Sequence, residues 1–306
     1  MVHKIVVQVA VATTLAAALA VSANASPFSF STGNTDGKMA AASRPDSPGR
    51  SEIETGDDFA LTGETLVTGA TFTGLITGTT PTIGGVTAEI YRVFPFDSNV
   101  GRTSGSPLFS TPQVPTRVNS PSDVAFDSRT SGSNLTFTTT TLNTTFTANN
   151  SVQTGGINPS PNQTTGGSGP VTGQEVQFQL TFLTPFDLPA DHYFFIPQVE
   201  ILGGEFLWLS APRPIVSPGT PFPAGFTDLQ GWTRDNISAN NLDPDWLRVG
   251  GDIVGPTPAT SPTFNFTFSL SGDVVPLPAA LPLFATGLAG LGLLGWRRKR
   301  KAQAVA

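Results

Sequence analysis

The chain has 306 residues with 22 Asp and Glu against 16 Lys and Arg, and it contains no cysteine. Disulfides, thiolate metal sites and a cysteine nucleophile are therefore excluded, and the fold must rest on its core rather than on staples. His192 is the single histidine after His3, which excludes a multi-histidine metal centre.

In chain order, Lys4 forms a short positive start and Ile5 to Val21 an apolar run. Ala23-Asn24-Ala25 then supplies a small-x-small site before Ser26. The pattern predicts a signal peptide over 1–25, cleaved after Ala25 by signal peptidase, with an uncleaved N-terminal anchor as the competing reading. Residues 26–56 are rich in Ser, Gly, Asp, Ala and Pro and read as a flexible leader.

From 57 to 272 the apolar residues return with period two. In Glu175 to Phe182, Val176, Phe178, Leu180 and Phe182 share one face of a predicted strand while Glu175, Gln177, Gln179 and Thr181 share the other. Phe264, Phe266, Phe268 and Leu270 alternate in the same way with Asn265, Thr267 and Ser269. Further predicted strands are Thr65 to Ile76, Val86 to Phe94, Leu135 to Thr141, Thr144 to Ala148, Phe194 to Leu202 and Glu205 to Ser210. Gly84-Gly85, Gly155-Gly156, Gly203-Gly204 and the Pro212 to Pro223 stretch punctuate them, and Gly203-Gly204 has the form of a two-residue hairpin turn. Asn134 to Thr147 is dominated by Thr and reads as a strand pair, with a Gly- and Asn-rich loop after it. The expected fold class is all-β, an antiparallel β-sandwich with a jelly roll as one form of it.

Candidate chemistry is sparse. His192 stands in Asp187-Leu188-Pro189-Ala190-Asp191-His192, but no Gly-x-Ser-x-Gly elbow accompanies it, so a structural role for the Asp187, Asp191 and His192 group is expected. Asp57/Asp58 and Asp243/Asp245 are acidic pairs that read as turn and capping carboxylates, with Asp243 and Asp245 as calcium candidates. Trp208, Trp232 and Trp246 lie in or near predicted loops, where exposed rings can stack on sugars; they are the candidate carbohydrate contacts, against core packing as the alternative. A glycosidase carboxylate pair stays open, because its separation is a property of the fold.

The end of the chain carries the clearest motif. Val275-Pro276-Leu277-Pro278-Ala279 precedes 18 uncharged residues from Ala279 to Trp296, and Arg297-Arg298-Lys299-Arg300-Lys301 follows them. The apolar run is at the short end of the roughly 17 to 25 residues that span a bilayer, and the basic cluster should stay on the cytoplasmic side. This order resembles the PEP-CTERM class of sorting signals in its VPLPA form, over about a tenth of the chain. Pro-Leu-Pro stands here where the namesake has Pro-Glu-Pro. The resemblance implies recognition of 273–306 by an exosortase, a membrane-embedded cysteine transpeptidase-like enzyme, and removal of the tail in a bacterium that makes exopolysaccharide.

Six of the 16 basic residues lie in the two signals, which leaves ten against 22 acids and a mature net charge of −12. Such a body does not suit nucleic acid or anionic lipid, since both need clustered Lys and Arg. The expectation is an exported surface or matrix protein. It would be anchored transiently in the inner membrane, non-catalytic, without a cofactor, and associated with exopolysaccharide. A carbohydrate- or calcium-binding module is the alternative, and a glycoside hydrolase a further one.

Overall fold

In the computed structural model, residues 25–96, 118–122, 124–157, 165–235, 246–255 and 262–276 are described. The strands are β1 (Ser26–Ser31), β2 (Met39–Ala42), β3 (Ile53–Ala60), β4 (Thr65–Arg92), β5 (Asp127–Thr130), β6 (Leu135–Ala148) and β7 (Asn150–Val152). They continue with β8 (Val171–Leu188), β9 (His192–Ala211), β10 (Trp232–Asp235), β11 (Leu247–Arg248), β12 (Asn265–Phe266) and β13 (Phe268–Val274), and one π-helical turn covers Val249–Val254. Pro27–Asp273 is one compact unit and the two ends of the chain form another, of which Ala25, Ser26 and Val274 to Pro276 are described.

All 13 strands belong to one hydrogen-bonded network, mostly antiparallel with β2–β7 a parallel pair, that curls into a sandwich-like body. Its spine is the pairing of β4 with β9, from Gly74 opposite Trp208 to Arg92 opposite Tyr193. The first half of β4 also pairs with β8, and β8 in turn with β6. β3 and β10 extend the sheet beyond β9.

Period-two patterning explains the core. Val176, Phe178, Leu180 and Phe182 of β8 are all buried, and Phe178 lies directly opposite Phe72 of β4 with parallel rings 4.9 Å apart. Phe206 meets both rings edge-on. Each such ring contributes roughly 1.5–3 kcal/mol by leaving water, and the aromatic pairs add to it. β9 buries both of its faces: Phe195 joins the main core, whereas Phe194 and Ile196 join a second cluster with Tyr91, Leu229, Trp232 and Trp246. A strand covered on both sides reads as a continuous apolar run, as Phe206-Leu207-Trp208-Leu209 does.

The structure corrects several expectations. The stretch read as a flexible leader is part of the sheet: β1, β2 and β3 lie mostly within it, and every residue of β2 and β3 is buried. The boundary at Asp57 falls inside β3. Short Ala and Ser side chains, which looked like leader composition, suit close packing of β2 against β9. Gly203-Gly204 is not a hairpin turn, because β9 runs through it; the glycines form an irregularity opposite Gly78. A Cβ on Gly204 would stand 1.9 Å from the Thr77 carbonyl oxygen, so the residue is required by the close approach of β4. Thr65 to Ile76 and Val86 to Phe94 merge into the single strand β4, with irregularities at Gly78 and Gly85 instead of a turn. The Thr-rich stretch is likewise one strand, β6, rather than a pair.

The signal site at Ala23, the sorting residues Leu277, Pro278 and Ala279, the apolar run 279–296, Arg297 to Lys301, and Asp243 and Asp245 lie outside the described residues. Among the described residues no helix is long and apolar enough to cross a membrane.

Candidate functional site

The three tryptophans are core residues, which overturns their reading as carbohydrate contacts. Trp208 is fully buried, stacks on Phe266 at 5.0 Å and donates its indole N–H to the Thr267 carbonyl oxygen at 2.8 Å. Trp246 is fully buried and donates to the Ser122 carbonyl at 2.9 Å, and Trp232 is 3 % exposed under the Arg248 guanidinium. None offers a ring face to a sugar.

The polar chemistry of the body concentrates instead on β3. Successive strand residues point to opposite faces, so Asp57 and Asp58 serve two different sides of the sheet. Asp58, 1 % exposed, accepts the backbone N–H of Leu229 and lies 2.6 Å from His192 Nε2. Asp57, fully buried, accepts the Phe266 N–H at 2.7 Å. These carboxylates do cap backbone amides, yet the amides come from strands and loops distant in sequence and not from a local turn. His192 is thus held by Asp58; Asp191 contributes only by accepting the His192 backbone N–H at 2.8 Å, and Asp187 is exposed. Phe222 and Phe226 flank the imidazole with ring centroids at 5.8 and 5.5 Å. Asp228 accepts from Asn265 Nδ2 and lies 3.6 Å from the Arg213 guanidinium.

Burial governs the protonation of this group. It pushes the Asp57 carboxyl well above the ordinary range, with the Asp58 charge adding to the effect, and it raises Asp58 against the pull of His192. Asp228 is raised to about 6 by burial and by the Asp58 charge.

A second polar group was not foreseen from the sequence. The carboxylates of Glu52, Glu54 and Glu89 converge, with one oxygen of each within 4.8 Å of the others. Glu54, 3 % exposed, is bonded by the Arg234 guanidinium and by the Tyr91 hydroxyl at 2.6 Å. Arg234 in turn lies 4.5 Å over the Trp246 ring and donates to Tyr91 at 3.1 Å. Arg234 holds the Glu54 carboxyl below its usual range despite burial, whereas burial and the Glu54 charge raise Glu89 to about 8. Glu89 therefore carries its proton at neutral pH. That proton and the guanidinium together offset two of the three converging carboxyl groups. The local signals were slight: Glu89 and Tyr91 sit two apart on β4 and so share a face, and Glu52, just before β3, is two residues from Glu54.

What these groups can do chemically is limited by who holds them. Both oxygens of Asp58 and both of Glu54 are engaged by the fold itself. Comparison with protein-family models, with curated proteins and with solved structures finds no match.

Proposed function

We propose that the chain is an exported bacterial surface or matrix protein, sorted through its C-terminal tail by an exosortase, with a non-catalytic β-sandwich body that associates with exopolysaccharide. The observation that carries this reading is the three-part tail, Val275 to Lys301, which begins one residue after β13 ends at Val274. A signal peptide over 1–25 delivers the chain to the membrane, and the apolar run 279–296 holds it in the inner membrane until the tail is removed.

Support for a structural body comes from where its polar residues are used. Asp57, Asp58, Glu54, His192 and Trp208 bond to one another, to Arg234 or to backbone amides and carbonyls, and each contact joins segments far apart in the chain. Such contacts consolidate a large cysteine-free sheet outside the reducing cytoplasm.

The test is the mass of the exported protein from hosts with and without the exosortase. The expected product begins at Ser26 and lacks Arg297 to Ala306 only when the enzyme is present. An exported chain that keeps its basic tail in the competent host refutes the sorting.

A further inference from the structure

We infer that a polar cleft on the outer face of the β6–β8–β4–β13 sheet binds a neutral glycan chain. The inference uses the exported-matrix reading only for where such a ligand is met; the site itself rests on the chemistry of that face.

Register places three cross-strand rows there. Thr136 of β6 lies opposite Thr181 of β8 and that residue opposite Gly69 of β4; Thr138, Gln179 and Thr71 form the next row; Thr140, Gln177 and Thr73 form the third. The Thr71 hydroxyl continues the second row onto β13 through Ser269 at 2.6 Å. Apolar partners of the same strands, Phe178, Leu180 and Phe72, point the other way into the core. The outward face is therefore an ordered array of hydroxyls and amides without a single charged side chain in those rows.

At one end the array dips into a cavity of about 260 Å³. Asn34, Thr35, Thr73, Gln177 and Ser269 supply its polar lining, and Leu142, 46 % exposed, supplies an apolar wall. Its one carboxylate, Glu175, is 3 % exposed and accepts Thr35 Oγ1 at 3.0 Å and the Asn143 side-chain amide. That carboxylate orients lining groups and presents little charge to solvent.

The lining selects among ligand classes. Neither Lys nor Arg is present to take a phosphate or carboxylate, and the exposed apolar surface is too small for a lipid. Hydroxyls and side-chain amides both donate and accept, which matches the hydroxyls of an uncharged sugar; Leu142 can meet the C–H face of a ring. Thr side chains on a strand are stiff about χ1, so the array loses little entropy on binding. From the cleft, Gln177, Gln179 and Thr181 extend over roughly 13 Å of strand, a track for further units of the same chain.

The experiment is affinity electrophoresis of the full-length chain in mild detergent, through gels containing dextran, laminarin or galactomannan, and through gels containing alginate or hyaluronate. At least one neutral glycan should retard the protein, and high salt should leave the retardation unchanged. Gln177→Ala should weaken it about five- to tenfold. The combined Asn34→Ala, Gln177→Ala and Ser269→Ala variant should abolish it while its circular dichroism stays that of the parent. No retardation by any neutral glycan, retardation by the anionic ones alone, or retardation indifferent to the combined variant would each overturn the inference. Because the mass of the exported chain tests sorting separately, failure here leaves that reading standing.

Discussion

Arg234→Met removes the guanidinium that compensates Glu54 but keeps an unbranched stem against Trp246. With Glu54 3 % exposed, the variant strands a buried carboxylate that keeps only the neutral donors Tyr91, at 2.6 Å, and protonated Glu89 among the partners described for it. Breaking a buried ion pair from one side costs about 3–5 kcal/mol. For a body of this size that corresponds to a fall of roughly 6–20 °C in Tm. The loss has a definite pH dependence. In the native protein Arg234 lowers the Glu54 pKa, so the pairing contributes stability above the unfolded carboxylate pKa and loses it as pH falls through the folded value. Once Arg234 is gone, burial dominates and raises Glu54; the variant then accepts a proton at pH 5 and must hold a buried charge at pH 8. The gap between variant and parent should accordingly widen from pH 5 to pH 8, by up to about 1.4 kcal/mol per unit. Urea unfolding followed by tryptophan fluorescence measures it, with unchanged m-values as the control. Adding Glu54→Gln should recover more than half of the loss at pH 8. A cost below about 1 kcal/mol at pH 8, or equal costs at the two pH values, would refute the reasoning.

Glu89 offers the opposite sign. Its folded pKa, about 8, lies above the unfolded value, so its stability is intact below about 4.5 and is lost as pH rises toward 8. Glu89→Gln should be near neutral at pH 5 and more stable than the parent at pH 9 in the same unfolding assay. Trp208→Ala should cost about 3–5 kcal/mol in urea unfolding, while a folded Trp208→Phe protein should keep its mobility in neutral-glycan gels unchanged. Gly204→Ala should lower the urea midpoint by about 2 kcal/mol or more, because its Cβ meets the Thr77 carbonyl; Gly155→Ala, with nothing within 4 Å, should change it by less than about 0.5 kcal/mol.

Fold class was legible where one face of a strand is wet, as in the alternation over Glu175–Phe182, whose Gln179 and Thr181 are exposed. The apolar set of Phe264 to Leu270 is buried as expected, but Asn265 and Thr267 on the other side are buried too, and Thr267 separates β12 from β13. Legibility failed where both faces are covered. In Ile53–Ala60, Glu54, Asp57 and Asp58 carry the composition of solvated chain, yet all three are buried because Arg234, Phe266 N–H and His192 compensate them across 134 to 209 residues of sequence. A remote partner leaves no local trace, and so the polar centres on β3 were invisible. The tryptophans were misread for a related reason: Trp208 lies in a strand that is covered on both faces, and Trp232, which proximity to Gly suggested was in a loop, opens β10. Glycine was ambiguous in the same way. Gly203-Gly204 satisfies the rule for a hairpin and equally the rule for two backbones in near contact, and the second applies.

The pairing of β1 with β13 joins the first and last strands of the described residues, sealed where the Thr32 hydroxyl accepts the Phe268 N–H and donates to the Phe266 carbonyl. For a chain that emerges N-terminus first, the seam is left unmade until residue 268 has cleared the channel, whatever has formed before it. Nearly the entire body must wait, and closure of so long a loop is slow compared with local pairing. Completion of the sheet is thereby timed by the far end of the polypeptide, so a truncated or stalled chain announces itself as an open edge that quality-control proteases and chaperones can read.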